Sequence, residues 1–513
     1  MAPNNIKENV LLMICYQLDT LLKHRVPCCG LCCKMAIVFL GHDDTGHGCH
    51  GVQTWFNRLG ISLFFGTMDK TKPFKFKFFL FIIAILIFII IITTVRTPMI
   101  YRSIPPPRRA LDTCPFQISN QSITPLENTK HFLVSAYMDQ RVKGFDIRII
   151  SIFRRDSIQT LYCLFCCAGH LSNTTLVTVL VHEDHFGFPF SATDVMCQIP
   201  PNCEATHVTL LTQPDGVKVS NQRWLPIKNK ETSKEQEKTF QFDFTVCIST
   251  LFGEYNNVLQ FAQTLEMYRL LGVGRVVIYN TSAGPELNRL LKTYSQEGLV
   301  EMVEWPIHKH LNPSNGWLFS KHGGDLQYYG QLVTLNDCIY RSMDRSRYVL
   351  LNDIDEIIMP YQHDNLKSMM DMLQQQHPDA AMFHIESHVF PYKFFTKGKD
   401  TPLPQWRGVP GFNILERIVR EDPDKNIFHP LKMIIQPRLV EQTSVHYVLK
   451  MFGQKYKVPM DVCRIIHCPT VPQNERLLSQ HKDTRLWDFK DKVMPRVTEM
   501  LRRGGLLSSD GES

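Results

Sequence analysis

The stretch "RYVLLNDIDEIIMP", residues 347–360, sets Asp353, Asp355 and Glu356 directly behind one apolar run and ahead of another. Carboxylates are seldom buried unless they are paired or bound to metal, so three acids here call for a partner. If the first run is a strand, its period of two puts Asp353 and Asp355 on the same side of the strand's end. Two carboxylates so placed can hold one hard divalent cation. Such a cation can bridge a diphosphate and stabilise the charge that develops as it departs. The plainer alternative is that the acids cap a strand-to-loop transition or point into solvent, since a bare Asp-x-Asp is common.

Around this stretch strands alternate with helices. "FTVCISTLF" reads as a buried strand, "NNVLQFAQTLEMYRLLG" as an amphipathic helix ending at Gly272, and "RVVIYN" as the next strand. "GPELNRLLKTYSQEG" is again helical, "VEMVEWP" extended, "YYGQLVTLNDCIYRSM" helical, and "SRYVLLNDIDEII" the acid-bearing strand. The rhythm predicts an α/β sheet with crossover helices over 240–495, its ligand site at the C-terminal ends of the strands. "GVGRVV" lacks the third glycine of a dinucleotide fingerprint and precedes a strand, so it is not one. Residues 496–513 are expected to be a flexible tail.

Upstream, "HFLVSAYMD", "FDIRIISIF", "TLYCLFC", "TTLVTVLVHE" and "THVTLLTQ" are short β-branched and aromatic runs. They predict a small antiparallel β domain over 129–227. The C-x-x-C formed by Cys163 and Cys166, with Cys167 behind it, has no thioredoxin-like βαβ pattern around it and reads as structural disulfide. "KNKETSKEQEK" makes 228–239 a charged linker, and "TPMIYRSIPPPRRA" gives 96–128 the proline content of an extended stem.

"FFLFIIAILIFIIIITTV", Phe78 to Val95, carries no charge over eighteen residues. As a helix it would be roughly 27 Å long, close to the hydrocarbon thickness of a bilayer. Lys70, Lys72, Lys75 and Lys77 precede it, which favours an inside N-terminus and an uncleaved signal anchor, with residues 1–77 cytosolic. The sequons at Asn120, Asn173 and Asn280 all follow the span, whereas Asn312 is excluded by its proline. Ten of the 16 cysteines also follow it, consistent with an oxidising lumen. Within the first 67 residues, "VPCCGLCCKM" and "GHGCHG" hold enough Cys and His for zinc but not a standard finger spacing, and palmitoylation reads equally well. The preferred reading is a dispensable extension, with Met68 starting an ordinary anchored N-terminus. Of 513 residues 20% are charged and 44% hydrophobic, and the net charge of +7 is scattered, which excludes a nucleic-acid binder.

"CISTLFGEYNNVLQFAQTLEMYRLLGVGRVVIYN", "YYGQLVTLNDCIYR", "YVLLNDIDEIIMP", "SVHYVLK" and "RIIHCP" occur in that order over roughly 240–470. This set resembles glycosyltransferase family 92, the β-1,4-galactosyltransferase-like proteins. The resemblance implies a GT-A-type nucleotide-sugar transferase domain behind a transmembrane helix and a β-rich lumenal domain, in a type II Golgi membrane protein. It implies inverting transfer of galactose or a related hexose from a UDP-sugar to a glycan or glycoprotein acceptor, with Mn²⁺ or another divalent cation. Asp353 and Asp355 then look like the metal site, Glu356 adjoining it, with His446 of "SVHY" as the histidine that completes it and His467 of "IIHC" as the rival. Asn352 ahead of the acids and Cys468 after the second histidine depart from the family pattern. Gln331 and Asp337 on the preceding helix, with Arg417, Lys432 and His467, are the nucleotide-sugar candidates, and Asn336 reads as packing. The general base is expected at Glu416, beside Arg417 and Lys432, or at Glu386. The competing classes are a metal-dependent phosphotransferase or hydrolase, and an inactive membrane-anchored glycan-binding protein.

Overall fold

The β-branched run Phe242–Leu251 forms the strand (β1) from which the larger sheet grows. The computed structural model describes residues 114, 117–214, 221–230, 239–391, 406–423, 431–469 and 479–507. The segment expected to be cytosolic, the expected span and residues 96–113 lie outside them. Among the described residues no helix is long and apolar enough to cross a membrane.

After β1 come α1 (Val258–Leu270), β2 (Val273–Asn280), α2 (Pro285–Gln296), β3 (Val300–Glu304), α3 (Gln331–Ser342) and β4 (Ser346–Leu351). Then follow β5 (Glu356–Pro360), α4 (Leu366–Gln376), β6 (Ala380–Val389), β7 (Leu431–Ile435), β8 (Cys463–His467) and α5 (Lys490–Arg503). The sheet order is β3-β2-β1-β4-β7-β6-β8-β5. The strands β3, β2, β1 and β4 are parallel, and β7 is antiparallel to both β4 and β6. Both faces of β1 are covered, Val246 and Ile248 joining one core and Cys247 the other. Because the order reverses between β1 and β4, a crevice opens outside their carboxyl ends.

The last three residues of β6 leave β7 and pair in parallel with β8, which is antiparallel to β5. The end of β4 and the start of β5 therefore share the C-terminal edge of the sheet. The acidic turn 352–355 runs along that edge. The acid-bearing stretch is thus two strands joined by a turn, not one continuous strand.

Helix α1 is buried on nearly every side. The reason is α5, whose Val493, Val497, Met500 and Leu501 recur at helical spacing and join the same core. This corrects the expectation of a flexible tail from 496, since the apolar stripe continues the helix to Arg503.

The β-rich domain contains the expected strands, among them Phe132–Met138, Ile147–Arg154, Tyr162–Cys167 and Ala205–Leu211. Phe190–Cys197 is an additional strand, paired with Ile147–Arg154 along its whole length. Leu225–Lys228 is another, and it runs parallel to Phe132–Met138, so the sheet is mixed rather than antiparallel throughout. Thr124–Pro125 pairs with Phe132 and Leu133, and Cys114 is bonded to Cys166, so the domain begins ahead of Thr129. The linker likewise starts after Lys228, which closes a strand, and 231–238 lie outside the described residues. The cysteines of the C-x-x-C cluster take separate partners, Cys163 with Cys197, Cys166 with Cys114 and Cys167 with Cys203. Cys247–Cys338 ties β1 to α3.

Buried charge joins this domain to the larger sheet. Arg148 pairs with Asp139 at 2.9 Å, with Asp194, and with Glu441 at 2.9 Å. Asp337 on α3 accepts from Tyr137 at 2.7 Å, Tyr279 at 2.5 Å, Arg341 at 2.9 Å and the Ser135 hydroxyl. Burial opposes its charge, but Arg341 and Lys228 outweigh burial and hold its carboxyl well below the usual range. Its stabilisation is therefore complete above the unfolded carboxylate pKa and is lost as pH falls through the folded one. Removing one partner of such a buried network leaves an uncompensated charge and costs about 3–5 kcal/mol. Asp337→Ala should accordingly shift the guanidinium unfolding midpoint clearly downward at neutral pH. An unchanged midpoint would show that the network does not hold the two parts together.

Candidate active site

The acidic turn is built by its own backbone and by one amide. Asn352 donates to the Tyr268 hydroxyl at 2.7 Å and to the Glu356 carbonyl at 2.9 Å, fixing the passage from β4 to β5. The Asp353 amide donates to the Glu356 carboxylate at 3.1 Å, and the Cys468 amide to the Asp355 carbonyl at 2.8 Å. Ile354 is buried between the two acids, whose side chains remain 41% (Asp353) and 24% (Asp355) exposed. Their common exposure arises from the turn and not from strand alternation.

Lys432 of β7 rises beneath them, 2% exposed, with its ammonium 2.7 Å from Asp353 and 3.4 Å from Glu356. Burial works against that charge, yet the carboxylates hold the lysine above its ordinary pKa. In return Lys432 outweighs burial at Asp353 and keeps its carboxyl low, while burial pushes Glu356 up. His467 lies 3.3 Å from Asp355, which raises the imidazole to about 9 against the effect of burial. His446 is held down at about 4 by burial and by Lys432, and its Nδ1 meets the Leu431 carbonyl at 3.0 Å. A neutral ring bonded through Nδ1 to a carbonyl presents Nε2 as its lone-pair nitrogen.

Aromatic residues that sequence reading missed wall the crevice. Tyr328 and Tyr329 both have positive φ, 42° and 53°, ahead of Gly330 at 84°. Each such tyrosine costs about 1–3 kcal/mol, so the surroundings must impose the turn. The Trp305 indole donates to the Tyr329 carbonyl at 2.7 Å, and Phe252 stacks on Tyr329 at 4.2 Å. Burial first, then the charges of Asp353 and Asp355, raise the Tyr328 pKa, and Tyr255 is raised in the same way by burial and Asp355. The only sequence signal was the doublet before a glycine at a helix start, which reads as helix by composition.

The structure brings some of the expected residues to this place and sets others apart. Gln331 opens α3 and donates to Ser249 at 3.2 Å and to Asp353 at 3.4 Å. Arg417 donates to the Phe390 carbonyl at 3.3 Å, and the Phe390 amide donates to His467. Glu416 is exposed beside it, accepting from Asn413 at 3.3 Å. Glu386 is held by Lys457 at 2.7 Å and belongs to the opposite face of β6 from Ile385, the residue that pairs with Lys432. Asp337 is fully engaged in the domain network and makes none of its hydrogen bonds to the acidic turn, which separates it from the nucleotide-sugar candidates. Asn336 spans to Thr443, donating at 2.8 Å and accepting at 3.0 Å. Asn120 and Asn173 are exposed, while Asn280 is half-buried at the end of β2 with its amide toward Asn288. A cavity of about 570 Å³ lies elsewhere, lined by Lys228, Tyr279, Glu301, Asp337 and Arg341.

Among the described residues no group of three or more His, Cys, Asp or Glu side chains is placed to hold a metal ion. A small hard cation, however, commonly takes one or two carboxylates and completes its shell with substrate phosphates and water. Two partly exposed carboxylates on one turn fit that kind of half-site.

A β-1,4-galactosyltransferase of Caenorhabditis elegans is 19% identical over 401 residues, 75% of this chain and 86% of that protein. A glycosyltransferase family 92 protein of the same organism is 24% identical, covering 46% of this chain and 44% of its own. A galactan β-1,4-galactosyltransferase of Arabidopsis thaliana is 21% identical, covering 45% and 42%. The chain thus spans most of the first and under half the length of the other two. Among solved structures, S. aureus TarS 1–349 in complex with UDP-GlcNAc overlays with a TM-score of 0.24 at 11% identity, covering 45% of this chain and 60% of that one. So loose an overlay bears on neither fold nor ligand. The sequence profile of glycosyltransferase family 92 matches residues 242–501, from β1 through the acidic turn to α5 and over just half of the chain, and the chain therefore belongs to glycosyltransferase family 92 and is a glycosyltransferase.

Proposed function

We propose that the protein transfers galactose, or a related hexose, from a UDP-sugar to a hydroxyl of a glycan acceptor with inversion, using a GT-A-type fold. The observation that carries this reading is the pair of open carboxylates at the β1/β4 crevice, seated on a buried lysine. The donor's diphosphate would lie over the turn, the nucleoside against Tyr328 and Gln331. The names of the relatives support galactose. A divalent cation such as Mn²⁺, held by Asp353 and Asp355 with His446, would neutralise charge on the departing diphosphate.

The chain's own residues have separable tasks in this scheme. Lys432 fixes the orientation of Asp353 and balances Glu356, so the turn tolerates three adjacent acids. Charged His467 orients Asp355 and adds positive charge next to the diphosphate. Inversion needs a base that takes the acceptor proton while the acceptor oxygen bonds to the anomeric carbon and the bond to the diphosphate breaks. Glu416 suits that task better than Glu386, because it is exposed beside Arg417 while Glu386 is tied to Lys457. Four disulfides among the described residues and exposed sequons at Asn120 and Asn173 support a lumenal body. With the apolar stretch 78–95 as anchor, we place the protein as a single-pass type II protein in the Golgi membrane, where it would meet glycoprotein acceptors.

Asp355→Asn preserves side-chain size and removes one ligand charge. Transfer from UDP-galactose should fall about 100-fold or more, a loss of roughly 2.7 kcal/mol in transition-state stabilisation, with circular dichroism unchanged. Excess Mn²⁺ should recover part of the rate, and a normal rate in the folded variant would remove the acid pair from the mechanism. Glu416→Gln should lower turnover by about 10²–10⁴-fold, the range for a lost general base, while UDP binding persists. Glu386→Gln should stay near the parent rate. The reverse ranking would reassign the base.

A further inference from the structure

Two large aromatic side chains stand exposed on segments that adjoin neighbours of the acidic turn. Trp317 is 52% exposed and Tyr447 42%. Trp317 follows Gly316, whose carbonyl accepts from the amide of Tyr328, the residue facing the acids. Tyr447 follows His446. Trp317 is therefore one residue from a backbone partner of Tyr328, and Tyr447 one residue from His446.

The third side comes from the β-rich domain. Its turn before the strand Phe190–Cys197 carries Glu183, Asp184 and Phe186, the last with a φ of 51°. The Phe186 ring meets Trp317 edge-on at 6.2 Å, and its carbonyl accepts from the Phe319 amide at 3.2 Å. Asp184 accepts from the Ser444 hydroxyl, and Tyr447 feels the charges of Asp184 and Glu183. Three chain segments from two domains thus converge beside the proposed transfer site.

We propose that Trp317, Tyr447 and Asp184 form the acceptor subsite, and that its ligand is a carbohydrate chain. The inference rests on the transferase reading above. A sugar ring offers an apolar C–H face and a rim of hydroxyls. Rigid amphipathic aromatics match the face, and carboxylates accept from the rim. A protein-docking patch would instead be a continuous apolar surface, whereas here carboxylates interleave the rings. The turn at Phe186 gives the β-rich domain a part in this site, because it brings Asp184 beside Ser444 and Tyr447.

The test uses the membrane-anchored protein in detergent with UDP-galactose and a library of oligosaccharides of differing terminal sugar, taking the best acceptor forward. Trp317→Ala and Tyr447→Ala should each raise the acceptor KM about tenfold or more, the loss of a ring that contributes binding alike in ground and transition states. The UDP dissociation constant by calorimetry should stay within about twofold, and turnover at saturating acceptor should change little. Trp317→Phe keeps a ring and should restore most of the affinity, and Asp184→Asn should raise KM without altering UDP binding. Unchanged acceptor KM in the alanine variants would overturn the subsite, as would a loss of UDP affinity, which would move these residues to the donor side. Failure of the parent protein to bind UDP would strike the transferase reading itself.

Discussion

The buried ammonium of Lys432 is the constraint on which the site depends. Three carboxylates within four residues repel one another, and an uncompensated charge in such a place costs several kcal/mol. One lysine, 2.7 Å from Asp353 and 3.4 Å from Glu356, makes the arrangement tolerable. Its position is set by the sheet: Ile385 pairs with Lys432 on one side, and Leu351 pairs with Met433 on the other. A slip of one residue in β7 would send the lysine to the opposite face. The register of the central strands and the chemistry of the turn are therefore one requirement.

That register is braced from outside the sheet. Polar residues of the buried helix α1 serve loops near the site, Gln260 donating to the Cys468 carbonyl at 2.8 Å and Gln263 to Asn413 at 2.5 Å. Asn336 pins Thr443, one residue before the Ser444 that meets Asp184 of the β-rich domain. Arg148, through Glu441, and Asp337, through Ser135 and Tyr137, fasten the same domain through buried charge. A helix and a domain that look like scaffolding thus set the walls of the crevice.

Much of this was legible in the sequence because burial leaves a pattern. The strands beside β1 are β-branched runs, and the acids stand out against their apolar flanks. What escaped has physical causes. Phe190–Cys197 carries Ser191, Thr193 and Asp194, which are buried because Arg148 and neighbouring polar groups satisfy them, so no alternation shows. The last helix combines dense surface charge with Pro495, which hides its stripe of Val493, Val497, Met500 and Leu501. Asp337 sits in a motif of the family resemblance and has Arg341 one helical turn on, yet its hydroxyl partners Ser135, Tyr137 and Tyr279 come from two distant stretches that sequence spacing does not bring together. The left-handed tyrosines are set by contacts with Trp305 and Phe252, and no local propensity announces them. His467, rather than His446, contacts Asp355, a distinction that depends on the pairing of β5 with β8.

The most direct test of the account is a crystal structure of the protein with UDP and Mn²⁺, with anomalous data collected at the manganese edge. The account predicts an anomalous peak within coordination distance of Asp353 and Asp355, about 2.0–2.3 Å for a hard cation on oxygen, with the diphosphate on the peak and the uracil toward Tyr328 and Gln331. Nucleotide density in the cavity between Lys228 and Asp337, with the Asp353–Lys432 pair undisturbed and no metal on the turn, would contradict it.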